Sequence, residues 1–146
     1  MKTYALAVAV AAAAVGVAHA DPAADGLSAK AEACIRAAAP EVSRLTPNPS
    51  EAVTFLVGDL CAVEIQRAEA YAGNARTLAE LQASMPPAAV ANVSLDPVTG
   101  ELKTPSGFAI PMGVTGSLLS SLRNQNPRAR YAAFAARAVL AARAGH

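Results

Sequence analysis

The sequence predicts a small all-α bundle of four to five helices, with a disulfide-stapled helical hairpin and one short β-hairpin insert. Three observations predict it. Apolar residues recur at helical spacing through an Ala-rich chain, with 29 alanines among residues 21 to 146. The two cysteines, Cys34 and Cys61, each fall on the apolar stripe of a different predicted helix. One stretch, Val93 to Lys103, breaks the helical pattern with turn-forming residues flanked by short alternating arms.

The first predicted helix runs from Leu27 to Ala39. Leu27, Ala31, Cys34, Ile35 and Ala38 mark its inner face, and Pro40 is expected to stop it. Glu32 and Arg36 stand one turn apart on it. The segment "PEVSRLTPNPS" reads as a turn-rich connection. Asn48 then serves as N-cap and Pro49 as first helical residue, with Glu51 facing the positive end of the helix dipole. The helix they open is the clearest in the chain. Val53, Leu56, Val57, Leu60, Cys61, Ile65, Ala68 and Tyr71 form its stripe. Gly73-Asn74 reads as its C-cap or as a kink. A further helix covers Ala75 to Ser84, and "MPPAAV" ends it because proline cannot continue the hydrogen-bond ladder.

Asp96-Pro97-Val98-Thr99-Gly100 fits a turn in which each residue has a task. The Asp side chain bonds the backbone two residues on, Pro presets φ, and Gly takes a positive φ without a Cβ clash. Val93-Ser94-Leu95 and Glu101-Leu102-Lys103 are its arms. Beyond it Phe108, Ile110 and Met112 alternate with Ala109 and Pro111, placing three large side chains on one face of an extended arm. That face covers the helical core or accepts a partner. Thr115 caps a short helix carrying Leu118, Leu119 and Leu122. Asn126-Pro127 starts the last helix, which runs to about Ala144, with Tyr131, Ala135, Ala138 and Ala142 as its apolar stripe and Arg130, Phe134 and Arg137 on another face.

Residues 1 to 20, MKTYALAVAVAAAAVGVAHA, have the form of a secretory signal peptide: Lys2, an apolar run from Ala5 to Val17, and Ala18-His19-Ala20 with small residues at the two positions a signal peptidase reads. Cleavage is expected after Ala20. Residues 21 to 146 then form one small helical domain in the periplasm or outside the cell, with no further run long enough to span a bilayer. An oxidising compartment favours a Cys34–Cys61 bond over free thiols, and the absence of C-x-x-C spacing favours a structural bond over a redox-active one. An Ala-rich core with no Trp buries little area per side chain, so such a staple matters. Richness in Ala, Arg, Val, Gly and Pro with few Lys points to a bacterial chain.

The expected domain contains only His146, so neither a Ser-His-Asp nor a Cys-His site can be assembled inside it. No phosphate-binding glycine loop occurs, and Asp96, Thr99 and Glu101 are too few for a calcium loop. Asp59 and Glu64 lie on one helix but five residues apart, pointing away from each other; Asp59 is expected to be partly buried. No catalytic residue, cofactor or metal is therefore expected, and the chain reads as non-enzymatic. Its charges are segregated. Residues 21 to 101 carry eleven acidic and five basic side chains, and residues 102 to 146 carry six basic and none acidic. The basic half is expected either to dock on the acidic half or to meet an anionic envelope component; Phe108, Ile110, Met112, Arg130 and Arg137 are the candidate partner-binding residues. A protein partner or an anionic surface is expected, a nucleic acid is not, and closely packing Ala helices are compatible with a homodimer. The alternative is a small-molecule or lipid carrier with a pocket between helices.

Overall fold

The structure, a computed structural model, describes residues 21–108 and 127–145. The signal segment, Ile110, Met112 and the helix expected around Leu118 to Leu122 lie outside the described residues. The described part is helical apart from one two-stranded sheet: α1 (Pro22–Leu45), α2 (Pro49–Phe55), a π-helical turn (Leu56–Leu60), α3 (Ala62–Ser84), α4 (Pro87–Val90), β1 (Ser94–Leu95), β2 (Leu102–Lys103) and α5 (Pro127–Ala144). Helix α1 packs on both α3 and α5, and α2 packs on α5.

Helix α1 begins at Asp21, whose carboxylate accepts the Ala23 N–H and caps the first turn. It does not stop at Pro40. The stripe Leu27, Ala31, Ile35, Ala39 and Val42 continues through the proline at intervals of three or four, and all five side chains are buried. Pro40 itself faces solvent, where water can satisfy the carbonyl that loses its helical partner. Burial of Ala39 and Val42 outweighs the proline's cost, a correction to the expected end at Ala39.

Helix α2 starts as expected, with Asn48 Oδ1 accepting the Ser50 N–H at 3.0 Å and Pro49 in the first turn. It does not run on unbroken to Tyr71. The backbone widens by one residue over Leu56–Leu60, where Cys61 N–H reaches back five residues to the Leu56 carbonyl at 2.9 Å. This wider turn changes which residues face inward. Leu56, Cys61 and Ile65 are buried, while Leu60, expected on the stripe, is 48% exposed. The extra residue carries Cys61 to the side of α1, and the Cys34–Cys61 disulfide closes there with a Cα–Cα separation of 5.8 Å.

Helix α3 also runs through the expected break at Gly73-Asn74, continuing to Ser84. The signal there is for docking. Asn74 Nδ2 donates to the Gly100 carbonyl at 2.7 Å, fixing the hairpin to the helix. Gly100 is buried and has φ of +76°, and a Cβ on it would stand 2.6 Å from Tyr71 N and 2.8 Å from Arg67 O. Only glycine permits that approach of two backbones. The hairpin has the expected turn chemistry. Asp96 Oδ1 accepts the Val98 and Thr99 N–H groups, and the strands pair antiparallel with Leu95 opposite Leu102 and Ser94 opposite Lys103.

The main core joins α1, α2, α3 and α5 around Ile35, Leu56, Ile65, Tyr131 and Val139. Val139 joins Tyr131 and Ala135 as the buried stripe of α5, with Ala138 packed at its side. A second, smaller core lies at the far end of α3. Leu81, Val90 and Val93 are buried there, and Leu78, Met85, Leu102 and Phe108 cover them.

Candidate functional site

The charge asymmetry of the sequence is resolved in part within the chain. Helix α5 carries Arg128, Arg130, Arg137 and Arg143 and no acidic residue. Arg143 sits where α1 ends: its two terminal nitrogens donate to the carbonyls of Thr46 and Pro47 at 2.6 and 2.9 Å. A cation at the carbonyl end of a helix offsets the dipole and satisfies acceptors the helix leaves free. Arg128 lies 3.8 Å from Glu69. The basic half thus docks on the acidic half of the same chain.

Arg130 and Arg137 are placed differently, on an open face shared by α1 and α5. Glu32 accepts from Arg36 with one oxygen at 3.4 Å and from Arg130 with the other at 3.2 Å. The Arg36 guanidinium lies over the Phe134 ring, 5.4 Å from its centroid, and Arg137 lies over the same ring at 6.0 Å. Arg130 also lies 5.5 Å from the Tyr131 ring centroid. Two guanidiniums, Arg36 and Arg137, therefore flank one half-buried phenyl ring, and two, Arg36 and Arg130, share a single carboxylate. Both arginines bound to Glu32 remain 63% exposed. Resting on an aromatic face fixes a guanidinium's position without using its N–H donors, so the Arg137 fork, and the Arg36 and Arg130 donors not engaged by Glu32, stay available to an oxyanion. Exposed alanines, Ala33 and Ala37 on α1 and Ala133 on α5, keep the surface between the arginines low.

Beside this face an open groove of about 370 Å³ runs between α5 and α2, lined by Pro49, Ser50, Val53, Thr54, Ala136 and Leu140. The Thr54 hydroxyl donates to the Ser50 carbonyl at 2.9 Å, so it is tied to its own helix within this largely apolar lining. Leu140 is 59% exposed at its rim.

Phe108, read as part of an apolar arm, covers the second core beside Leu81, Val90 and Val93. Asp59 is exposed at the π-helical turn, against the expectation of partial burial. The wider turn rotates it outward along with Leu60. Two other carboxylates have shifted proton affinity. The Lys103 ammonium, 2.7 Å away, together with the Thr99 and Val98 N–H groups, holds Asp96 well below the usual carboxylate range. Burial raises Glu69, and the Arg128 charge offsets only part of that rise; its Oε1 is buried without a hydrogen-bond partner. Tyr71 donates to Asp21 at 2.6 Å, which lowers the Asp21 carboxyl and raises the Tyr71 hydroxyl. These groups stand apart, and among the described residues no three His, Cys, Asp or Glu side chains are grouped to hold a metal ion.

Sequence spacing placed Arg130, Phe134 and Arg137 on one face and paired Glu32 with Arg36. It could not join those two sets, which lie 98 residues apart at the Glu32–Arg130 contact. A pocket between helices was the alternative expectation, but the residues lining this groove were not named, because they come from two helices and neither half is a motif. Among the described residues no helix is long and apolar enough to cross a membrane. No protein-family model, no curated protein and no solved structure matches this chain.

Proposed function

We propose that this chain is an exported, non-enzymatic envelope protein that works as a binding module. The observation that carries the reading is the α1–α5 face, where Arg36 and Arg137 flank Phe134, Arg130 lies by Tyr131, and one carboxylate, Glu32, pairs with Arg36 and Arg130. A protein folding itself gains little by collecting exposed like charges, whereas a surface for an anionic partner requires it. Export is supported by the signal-like form of residues 1 to 20 and by the Cys34–Cys61 disulfide, a bond that persists in oxidising compartments. Asp21, the expected first residue after cleavage, is the N-cap of α1 and is held by Tyr71.

The test is capture from a native envelope fraction, eluted in steps of rising salt, with the wild-type protein and with an Arg130→Ser/Arg137→Ser variant that keeps its helical circular dichroism. The module reading expects material retained by the wild type, released at moderate salt and absent from the variant. Identical eluates from both proteins would end the role of this face. The groove between α2 and α5 favours a second reading, a carrier of a small apolar molecule, because about 370 Å³ is within the size range of small-ligand sites. A ligand of fixed mass retained in native mass spectrometry and lost in Val53→Asp would favour the carrier.

A further inference from the structure

We infer that the anionic partner of the α1–α5 face is a membrane surface displaying phospholipid phosphate groups; the assignment rests on the binding-module reading above. Charge is the first argument. Every charged side chain of α5 is an arginine, and on the open face Arg36, Arg130 and Arg137 stand with one carboxylate, Glu32, which pairs with the first two. Guanidinium forks pair with phosphate oxygens in two-pronged fashion, which a lysine ammonium does not reproduce. The ring contacts of Arg36 and Arg137 hold these forks in place before any ligand arrives.

Relief is the second argument. Ala133, Ala141 and Ala144 are exposed along α5, as are Ala33 and Ala37 along α1, so the surface between the arginines is low. A low, broad, positively charged surface fits a planar array of phosphates. The third argument is Leu140, one turn beyond Arg137 and 59% exposed. On a helix these positions are neighbours, so the arginine can reach the headgroup layer while the leucine enters its apolar edge. The apolar part is small, hence the association is electrostatic, reversible and sensitive to salt.

The experiment is co-sedimentation of the oxidised full-length processed protein with vesicles of equal parts phosphatidylglycerol and phosphatidylcholine, and with phosphatidylcholine alone, at low and high salt. Three variants accompany the wild type: Arg130→Ser/Arg137→Ser, Leu140→Ser, and Arg76→Ser, which removes an exposed arginine of α3 away from this face. The wild type is expected to bind the anionic vesicles only, and to release at high salt. Removing both face arginines lowers partition by roughly 25-fold, about fivefold for each. Leu140→Ser weakens binding less, and Arg76→Ser leaves it near the wild type. Equal binding to neutral vesicles, or equal loss with Arg76→Ser, overturns the assignment. If no vesicle is bound while envelope capture still yields an arginine-dependent protein, the lipid assignment falls and the module reading stands.

Discussion

Replacing Gly100 by alanine should cost far more than a surface glycine substitution normally does, because two separate penalties meet there. The first is conformational. At φ of +76° an alanine is strained by about 1–2 kcal/mol. The second is steric. The new methyl carbon would lie 2.6 Å from Tyr71 N, 2.8 Å from Arg67 O and 3.0 Å from Tyr71 Cα, all main-chain atoms of α3. A helix backbone cannot yield as a side-chain tip can, so the hairpin must retreat. Retreat overpacks or opens the contact, at about 1–3 kcal/mol, and stretches the Asn74–Gly100 hydrogen bond, worth about 1 kcal/mol. A total near 3–6 kcal/mol follows, a large part of the roughly 5–15 kcal/mol that holds a domain of this size. Gly107 supplies the control. Its φ is +79°, yet a Cβ there meets nothing within 4 Å, so Gly107→Ala should cost only the conformational part. Urea unfolding followed by circular dichroism measures both variants, and amide exchange at Leu95 and Leu102 reports whether the hairpin has left α3. Equal losses for the two variants, or a Gly100→Ala protein within about 1 kcal/mol of wild type with its hairpin still protected, would refute the docking argument.

Three further outcomes are expected. Cys34→Ala/Cys61→Ala opens a covalent loop with a sequence separation of 27 and should lose about 3.5 kcal/mol, seen as a melting temperature lower by roughly 10–15 °C; an unchanged melting temperature would show that the staple adds nothing. Because Asp96 titrates below its ordinary value of 3.8, its contribution is present above that value and is lost as pH falls through the lower folded value. Hairpin protection should therefore decline below about pH 4 in the wild type, and Asp96→Asn should flatten that decline; equal acid sensitivity in both would contradict the Lys103 pairing. Glu69 titrates above its ordinary value of 4.5, so its ionised form is unfavourable in the fold and protonation relieves it as pH falls. Glu69→Gln should melt higher than wild type at pH 8 and converge with it in acid, and a variant that melts lower at pH 8 would show that the Arg128 contact dominates.

The parts of the fold legible in the sequence are those set by local rules. Asn48 and Pro49 start a helix whatever surrounds them, and the Asp96–Gly100 turn follows from its own side chains. The parts that were misread depend on distant packing. Pro40 is a helix breaker by local propensity, yet Ala39 and Val42 bury on its far side and the helix continues. "VGDLC" reads as ordinary helix because a one-residue widening leaves no mark in composition; the Cys61–Leu56 backbone bond and the exposure of Leu60 beside a buried Cys61 reveal it. Gly73-Asn74 reads as a C-cap or a kink because the partner of Asn74, the Gly100 carbonyl, lies 26 residues on. The candidate site divides in the same way. Helical spacing brought Arg130 and Arg137 to one face, but their meeting with Glu32 and Arg36 required the packing of α5 on α1.

Export of an oxidised, processed chain is the premise of the proposed function, and the intact mass of the protein recovered from its native cells, alkylated without reduction, tests it most directly. The expected mass is that of residues 21 to 146 less two hydrogens, with no alkyl group added at Cys34 or Cys61. A chain that still carries Met1 to Ala20, with both cysteines alkylated, would contradict it.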